Sequence, residues 1–142
     1  MSDVLALRIG SEPFTARLRR DLAPQACGCL LELLPYAGKL IHARWSGEAL
    51  WAPLAPALPA ARRLLAEHPI AHPAPGEVLL YAGGPSEPEL YFPYGPNGFA
   101  CKFGPLQGEP VLRIEDRLER LAALGHEALW KGAQELHIEV SP

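Results

Sequence analysis

Arg44 stands between His42 and Trp45, with Trp51 close behind, and this grouping carries the richest binding chemistry in the chain. A guanidinium beside an imidazole recognises a carboxylate or an amide, and indole faces cover an apolar body. Downstream, Tyr81, Tyr91, Tyr94 and Phe99 lie in or beside strand-like apolar runs and offer aromatic walls. These eight residues form the candidate ligand-binding set, suited to a small, partly apolar molecule or a short peptide. Strand alternation divides the set, because Tyr91 and Pro93 fall on one face and Phe92 and Tyr94 on the other. Only some of them can therefore share a cavity, and the competing reading is that these aromatics simply fill a core.

Other constellations carry less. Glu87 and Glu89 share a strand face by spacing and can act as acid and base if buried, or as a solvated charge pair if not. Ser46 and Ser86 each sit in a turn without a base and orienting group legible in the sequence, so turn hydrogen bonds explain them. Glu67, His68 and His72, with His42 arriving from elsewhere, suggest a metal set. The i, i+4 spacing of His68 and His72 loses its meaning because Pro69 and Pro73 interrupt any helix there. The glycines at 83, 84, 95, 98, 104 and 108 lack phosphate-loop spacing and fit turns instead. Cys27, Cys29 and Cys101 read as idle thiols of a reducing compartment. The sequence thus nominates no catalytic residue, metal or cofactor.

The elements that must position these groups are mostly strands. VLALRI at 4–9 and FTARL at 14–18 read as an opening hairpin. Pro24 suits the first turn of a helix that Pro35 closes, with Ala23, Ala26, Cys27, Leu30, Leu31 and Leu34 on one buried face. KLIHARW and EALWAPL read as strands joined by a Ser46-Gly47 turn, followed by a short helix or a loop over 58–68. EVLLYA at 77–82 and ELYFPY at 89–94 are strands, with Pro93 marking an edge or a bulge. Val111–Ile114 is a further strand. Asp116 and Glu119 give a capping signal for a helix bearing Leu118, Leu121, Ala122 and Leu129, with Gly125 as a C-terminal break. An alternating strand at 136–140 closes the domain. Helices at both ends of a closed sheet fit this order.

Bulk properties bound the rest. The 142 residues suit one domain spanning 1–142, and 49% hydrophobic with 20% charged residues is ordinary for a globular protein. A net charge of −3 argues against an electrostatic grip on nucleic acid, and Arg17, Arg19 and Arg20 meet Asp21 at once in a solvated strand end. No secretory leader or membrane-length apolar run is evident, so a cytoplasmic protein with no membrane partner is expected. The 16 prolines and 13 glycines are spread between apolar runs rather than gathered in a linker.

Three separated pieces, in order, carry a resemblance. PAPGEVLLYAGGPSEPELYFPYGPNGFACKFGPLQG at 73–108, the tail LGHEALWKGAQELHIE with Leu129, Trp130, Gly132, Ala133 and Gln134, and the upstream Trp45-Ser46-Gly47 are similar to the bacterial family of unknown function DUF3830. Family elements elsewhere appear here as Glu67-His68-Pro69 and Gly108-Glu109-Pro110. The resemblance implies a cyclophilin-like fold: mainly β, a small β-barrel with two capping helices. DLAPQA leading to Ile41, His42, Ala43 and Arg44 is a local echo of cyclophilins, but WSGEALWAPL lacks the Phe and Gln of the proline-binding face.

Binding of a small molecule or short peptide in a barrel-side pocket is therefore the expected function. One alternative is an enzyme on the same barrel, either a degenerate prolyl isomerase with Arg44 at the amide or an enzyme of small metabolites. Another is an oligomeric structural module in which barrel edges and the Leu-rich 54–65 segment pair subunits.

Overall fold

The computed structural model describes residues 3–55, 58 and 64–141. The strands are β1 (Val4–Ile9), β2 (Glu12–Leu18), β3 (Tyr36–His42), β4 (Gly47–Pro53), β5 (Glu77–Tyr81), β6 (Glu89–Asn97), β7 (Ala100–Cys101), β8 (Gly104–Pro105), β9 (Glu109–Ile114) and β10 (Gln134–Val140). The helices are α1 (Pro24–Glu32) and α2 (Leu118–Lys131). Eight strands close into a barrel in the order β1-β10-β3-β4-β6-β5-β9-β2, and each pairing is antiparallel. β7 and β8 form a separate two-stranded hairpin. The expected mostly β barrel with two helices is the architecture found.

Alternation fills the barrel. Leu5, Leu7, Ile9, Leu40, Leu50, Ala52, Val78, Leu80, Leu90 and Phe92 point inward and join α1 and α2 residues in one buried cluster. A smaller cluster of Ala49, Leu79, Tyr81, Tyr91, Phe99 and Leu106 lies outside the barrel wall. The chain after β6 folds back over this outer face and gives it a second buried layer. A strand with both faces covered needs no polar side, which explains the six consecutive buried residues at the start of β6.

Several local expectations change. Arg44 lies beyond the end of β3, so strand alternation does not set its direction. The expected capping pair at α2 is absent: Arg117 occupies the cap position with φ 54° and no side-chain cap, and the Asp116 carboxylate accepts the Thr15 N–H from β2 instead. Gly125 does not end α2, which continues to Lys131. A Cβ there would lie 2.3 Å from the Tyr94 ring, so the glycine permits helix-on-sheet contact. Pro93 pairs with Ala49 inside the closed barrel, beside a register shift between Gly47 and Ala49, so the irregularity is a bulge rather than an edge.

Closure also removes the barrel edges that subunit pairing would have used. Within the Leu-rich segment Leu54 and Leu58 are buried, while Leu65 is exposed. Residues 56, 57 and 59–63 of that segment, and with them most of the helix expected over 58–68, lie outside the described residues, while 64–66 are not helical.

Glu67, considered as a metal ligand, has a structural task. Its carboxylate accepts the N–H groups of Gln25 at 3.0 Å and Ala26 at 3.1 Å, at the start of a helix whose cap residue Ala23 offers no side chain for the purpose. A carboxylate there satisfies orphan donors and complements the helix dipole. The backbone N–H groups of Glu67 and His68 are in turn accepted by the buried Glu109 carboxylate at 3.1 and 2.8 Å. Glu67→Ala is expected to cost about 1 kcal/mol, in the range of a lost helix cap, and Glu67→Gln less. Urea unfolding of the two variants measures both.

Candidate functional site

The outer wall of β3, β4 and β6, the turn at 85–87 and the covering hairpin enclose the site, with β5 continuing the wall beside it. Across this wall Ile41 opposes Trp51, Trp51 opposes Tyr91, and Tyr91 opposes Leu79. One step along, Glu89 stands opposite Pro53 on one side and Tyr81 on the other. Side chains directly opposite one another share a face, so an aromatic row runs beside a carboxylate. Phe99 sits on that row, with its ring 4.5 Å from Tyr91 and 5.5 Å at a T-shaped angle from Tyr81.

The hairpin is fastened by Ser46. Its Oγ donates to the Ala100 carbonyl and accepts the Ala100 N–H, each at 3.1 Å, and its carbonyl accepts the Gly98 N–H. Ser46 is thus a buried cross-link between the β3–β4 turn and the hairpin strand, not the local turn bond expected. Asn97 adds a second fastening: it accepts the Tyr91 hydroxyl at 2.9 Å and donates to the carbonyls of Pro73 and Gly95.

A pocket of about 540 Å³ opens between wall and hairpin. Six of the eight nominated residues border it: His42, Arg44, Trp45, Trp51, Tyr91 and Phe99. Tyr81 and Tyr94 do not. Tyr81 packs behind Phe99, and its hydroxyl accepts the Ser86 N–H. Tyr94 points into the barrel toward α2, where its ring meets His126. His42 borders the pocket yet uses both ring nitrogens, one 2.8 Å from the Ala43 carbonyl and the other 2.7 Å from the Tyr94 hydroxyl. Since the carbonyl can only accept, Nδ1 carries a proton, and in the neutral ring Nε2 accepts from the tyrosine.

The charged lining comes from three places. Arg44 follows β3, Lys102 lies in the hairpin turn, and Glu87 and Glu89 lead into β6. Lys102 sits with its Nζ 5.0 Å from the Phe103 ring centroid, and among the described residues neither it nor Arg44 has a carboxylate in ion-pair range. Phe103 and Trp45 are exposed at the mouth. Glu89 is buried, and burial pushes its carboxyl group up to about 8, with the Glu87 charge adding to the rise. Burial likewise raises the Tyr91 hydroxyl well above the usual phenol range, keeping it a neutral donor. His68 and His72 stay outside the lining, and no cluster of metal-binding side chains occurs among the described residues.

The sequence missed Glu89 as a pocket residue, although its spacing from Glu87 was visible. The signal that distinguishes them is its position between a proline and a run of apolar residues, which is also the pattern of a strand covered on both faces. Ser46, Lys102 and Phe103 were missed because the hairpin's return over the wall has no periodicity to reveal it.

The family model described as "Protein of unknown function (DUF3830)" matches residues 5–140. The chain belongs to the DUF3830 family. A search of curated proteins returned no match. Among solved structures, that of McbB in complex with tryptophan is similar over 96% of this chain at 21% identity, with a TM-score of 0.73. The chain spans 44% of the McbB chain, less than half its length. The solution structure of the hypothetical protein AF2241 from Archaeoglobus fulgidus is similar at 12% identity and a TM-score of 0.57, over 99% of this chain and 95% of that one. At such identities the shared property is the barrel fold. For this DUF3830 protein no helix among the described residues is long and apolar enough to cross a membrane.

Proposed function

We propose that this DUF3830 protein is a cyclophilin-like cytoplasmic binding domain that holds a small, partly apolar ligand bearing a carboxylate or an amide in the barrel-side pocket. The observation that carries this is the convergence of Trp51, Tyr91 and Phe99 as an apolar surface with two cations of the same lining, Arg44 and Lys102, neither in ion-pair range of a carboxylate among the described residues. Such pockets gain affinity from apolar burial and orientation from a few charged groups. The tryptophan held by McbB, an aromatic body with a carboxylate, is a ligand of this description. Short peptides with an aromatic C-terminal residue have the same chemistry.

Arg44→Ala is expected to weaken binding of tryptophan or indole-3-propionate about tenfold, the value of one charge-assisted hydrogen bond. Calorimetric titration measures the loss. Unchanged binding in both Arg44→Ala and an Arg44/Trp45 double alanine variant would place the ligand elsewhere.

A second reading, an enzyme on the same barrel, is favoured by Glu89, whose proton affinity near neutrality suits a general acid or base. A prolyl-isomerisation assay on a model peptide addresses the isomerase form of that reading, which requires activity that Arg44→Ala abolishes.

A further inference from the structure

Binding a carboxylate at Arg44 and Lys102 leaves one group of the pocket without a task. Glu89 begins β6 on the outer face, between Pro53 of β4 and Tyr81 of β5, and is only 7% exposed. Glu109 is buried to the same degree, but its carboxylate accepts two backbone N–H groups. Glu89 has no ion pair and no side-chain hydrogen bond among the described residues, and its open side is the pocket. No buried side-chain oxygen is left without a partner among the described residues, so the Glu89 carboxylate is desolvated on its protein side and reaches open space only through the pocket. A largely desolvated carboxylate without a donor is costly, and sites of ligand recognition are where such groups persist.

We propose that the occupant also carries a protonated amine and that Glu89 receives it, so that the ligand class is an amino acid or a related amine with an aromatic or large aliphatic body. This rests on the reading of the pocket as a binding site. The amine lies against Glu89, the apolar body covers Trp51, Tyr91 and Phe99, and the carboxylate reaches Arg44 and Lys102. The two charges of a zwitterion thereby meet opposite charges in one pocket, and a ligand of the same shape with only one charge meets half of that complementarity.

Beside Glu89 stand Glu87 from the preceding turn, Tyr81 of β5 and Tyr91 on its own strand, and the pocket it opens into also carries His42, Arg44, Cys101 and Lys102. Glu87 and the desolvating wall both favour the protonated carboxyl group, which persists to about pH 8 in the free protein. An ammonium ligand selects the carboxylate, so its binding below that pH expels a proton from Glu89. Affinity for an amine therefore rises with pH. Between about pH 6 and about pH 8 the rise reaches at most about fifty-fold, the change in the ionised fraction, and it reverses where the ligand amine itself loses its proton, near pH 10. A ligand with a carboxylate alone shows no such rise, because ionised Glu89 only repels it.

Titration calorimetry with tryptophan, tryptamine and indole-3-propionate, at about pH 6 and about pH 8, tests this with the intact chain and with Glu89→Gln. The expected result is tighter binding of both amines at the higher pH, with proton release at the lower pH read from buffer-dependent heats. Glu89→Gln should remove the pH rise and weaken amine binding at least tenfold at about pH 8, while sparing indole-3-propionate. A pH rise that survives in Glu89→Gln overturns the assignment. If indole-3-propionate binds and tryptamine does not, the amine inference falls and the pocket reading stands. If none of the three binds at millimolar concentration, the pocket reading falls and the amine inference with it.

Discussion

Phe99→Ala is expected to lower the melting temperature by roughly 10–17 °C, corresponding to about 3–5 kcal/mol for emptying a fully buried aromatic site in a domain of this size. The ring is 2% exposed and lies between Tyr81 and Tyr91, and it is the main apolar anchor of the hairpin on the barrel wall. Leu106 adds a second buried apolar contact, and the other attachments are polar: Ser46 to Ala100, Gly98 to Ser46, and the Phe99 backbone to Ala71. The loss should therefore be uneven. Hydrogen exchange is expected to accelerate first at residues 98–106, with the inner barrel strands keeping their protection until global unfolding. Any ligand that uses the Trp51–Tyr91 wall should lose affinity by more than tenfold, because the pocket loses its opposite side. A variant that melts like the intact protein and retains its hairpin protection would show that Leu106 and the polar attachments hold the hairpin without the ring.

The second large effect concerns the opposite face of β6. Helix propensity alone makes Gly125→Ala stabilising by about 1 kcal/mol in the middle of α2. The packing reverses the sign. An added Cβ would meet three Tyr94 ring atoms at 2.3–2.6 Å. That ring cannot retreat easily, since its hydroxyl is tied to His42 and its edge contacts His126. Overpacking costs about 1–3 kcal/mol, and three contacts this close put it in the upper part of that range, about 2–3 kcal/mol, so the net loss for alanine is about 1–2 kcal/mol, and Gly125→Leu loses about 3 kcal/mol or more. Thermal melts of the two variants read the order directly. Combining Gly125→Ala with Tyr94→Leu should recover much of the loss, a non-additivity that identifies this contact as the cause. If Gly125→Ala raised the melting temperature, the helix would have room that the close contact with Tyr94 denies.

Gly125 shows why part of the fold was illegible in sequence. A glycine late in an amphipathic segment is a reasonable stop signal, and only the sheet beneath the helix turns it into a contact requirement. Asp116 is a parallel case, because a D-x-x-E pattern is a local rule and the Thr15 N–H that claims Asp116 comes from a strand a hundred residues away. Ser46 is a third. Local chemistry suggests a turn hydrogen bond, whereas its hydroxyl serves a segment that returns from beyond β6. In each case a short-range signal was present, and a long-range partner decided its use.

The strands and both helices were legible because they depend on periodicity, which the sequence displays directly. Hydrophobic alternation and turn residues located the eight barrel strands, and the separated family motifs are matched by a model covering residues 5–140. Residue type also marked Arg44 and most of the aromatic groups that border the pocket, though not Lys102 or Phe103, and alternation separated Tyr91 from Tyr94. What the sequence could not contain was the folding of 97–108 back over the outer wall. That return buries Tyr91 and Phe99 between two layers, covers Tyr81 with Phe99, and brings Lys102 into the same lining as Arg44. It also removes Glu89 from water while its neighbour Glu87 stays exposed. The proton affinity of a carboxylate is set by the solvent and charges around it. Two glutamates alike in sequence thus become chemically different groups only when tertiary structure gives them different surroundings.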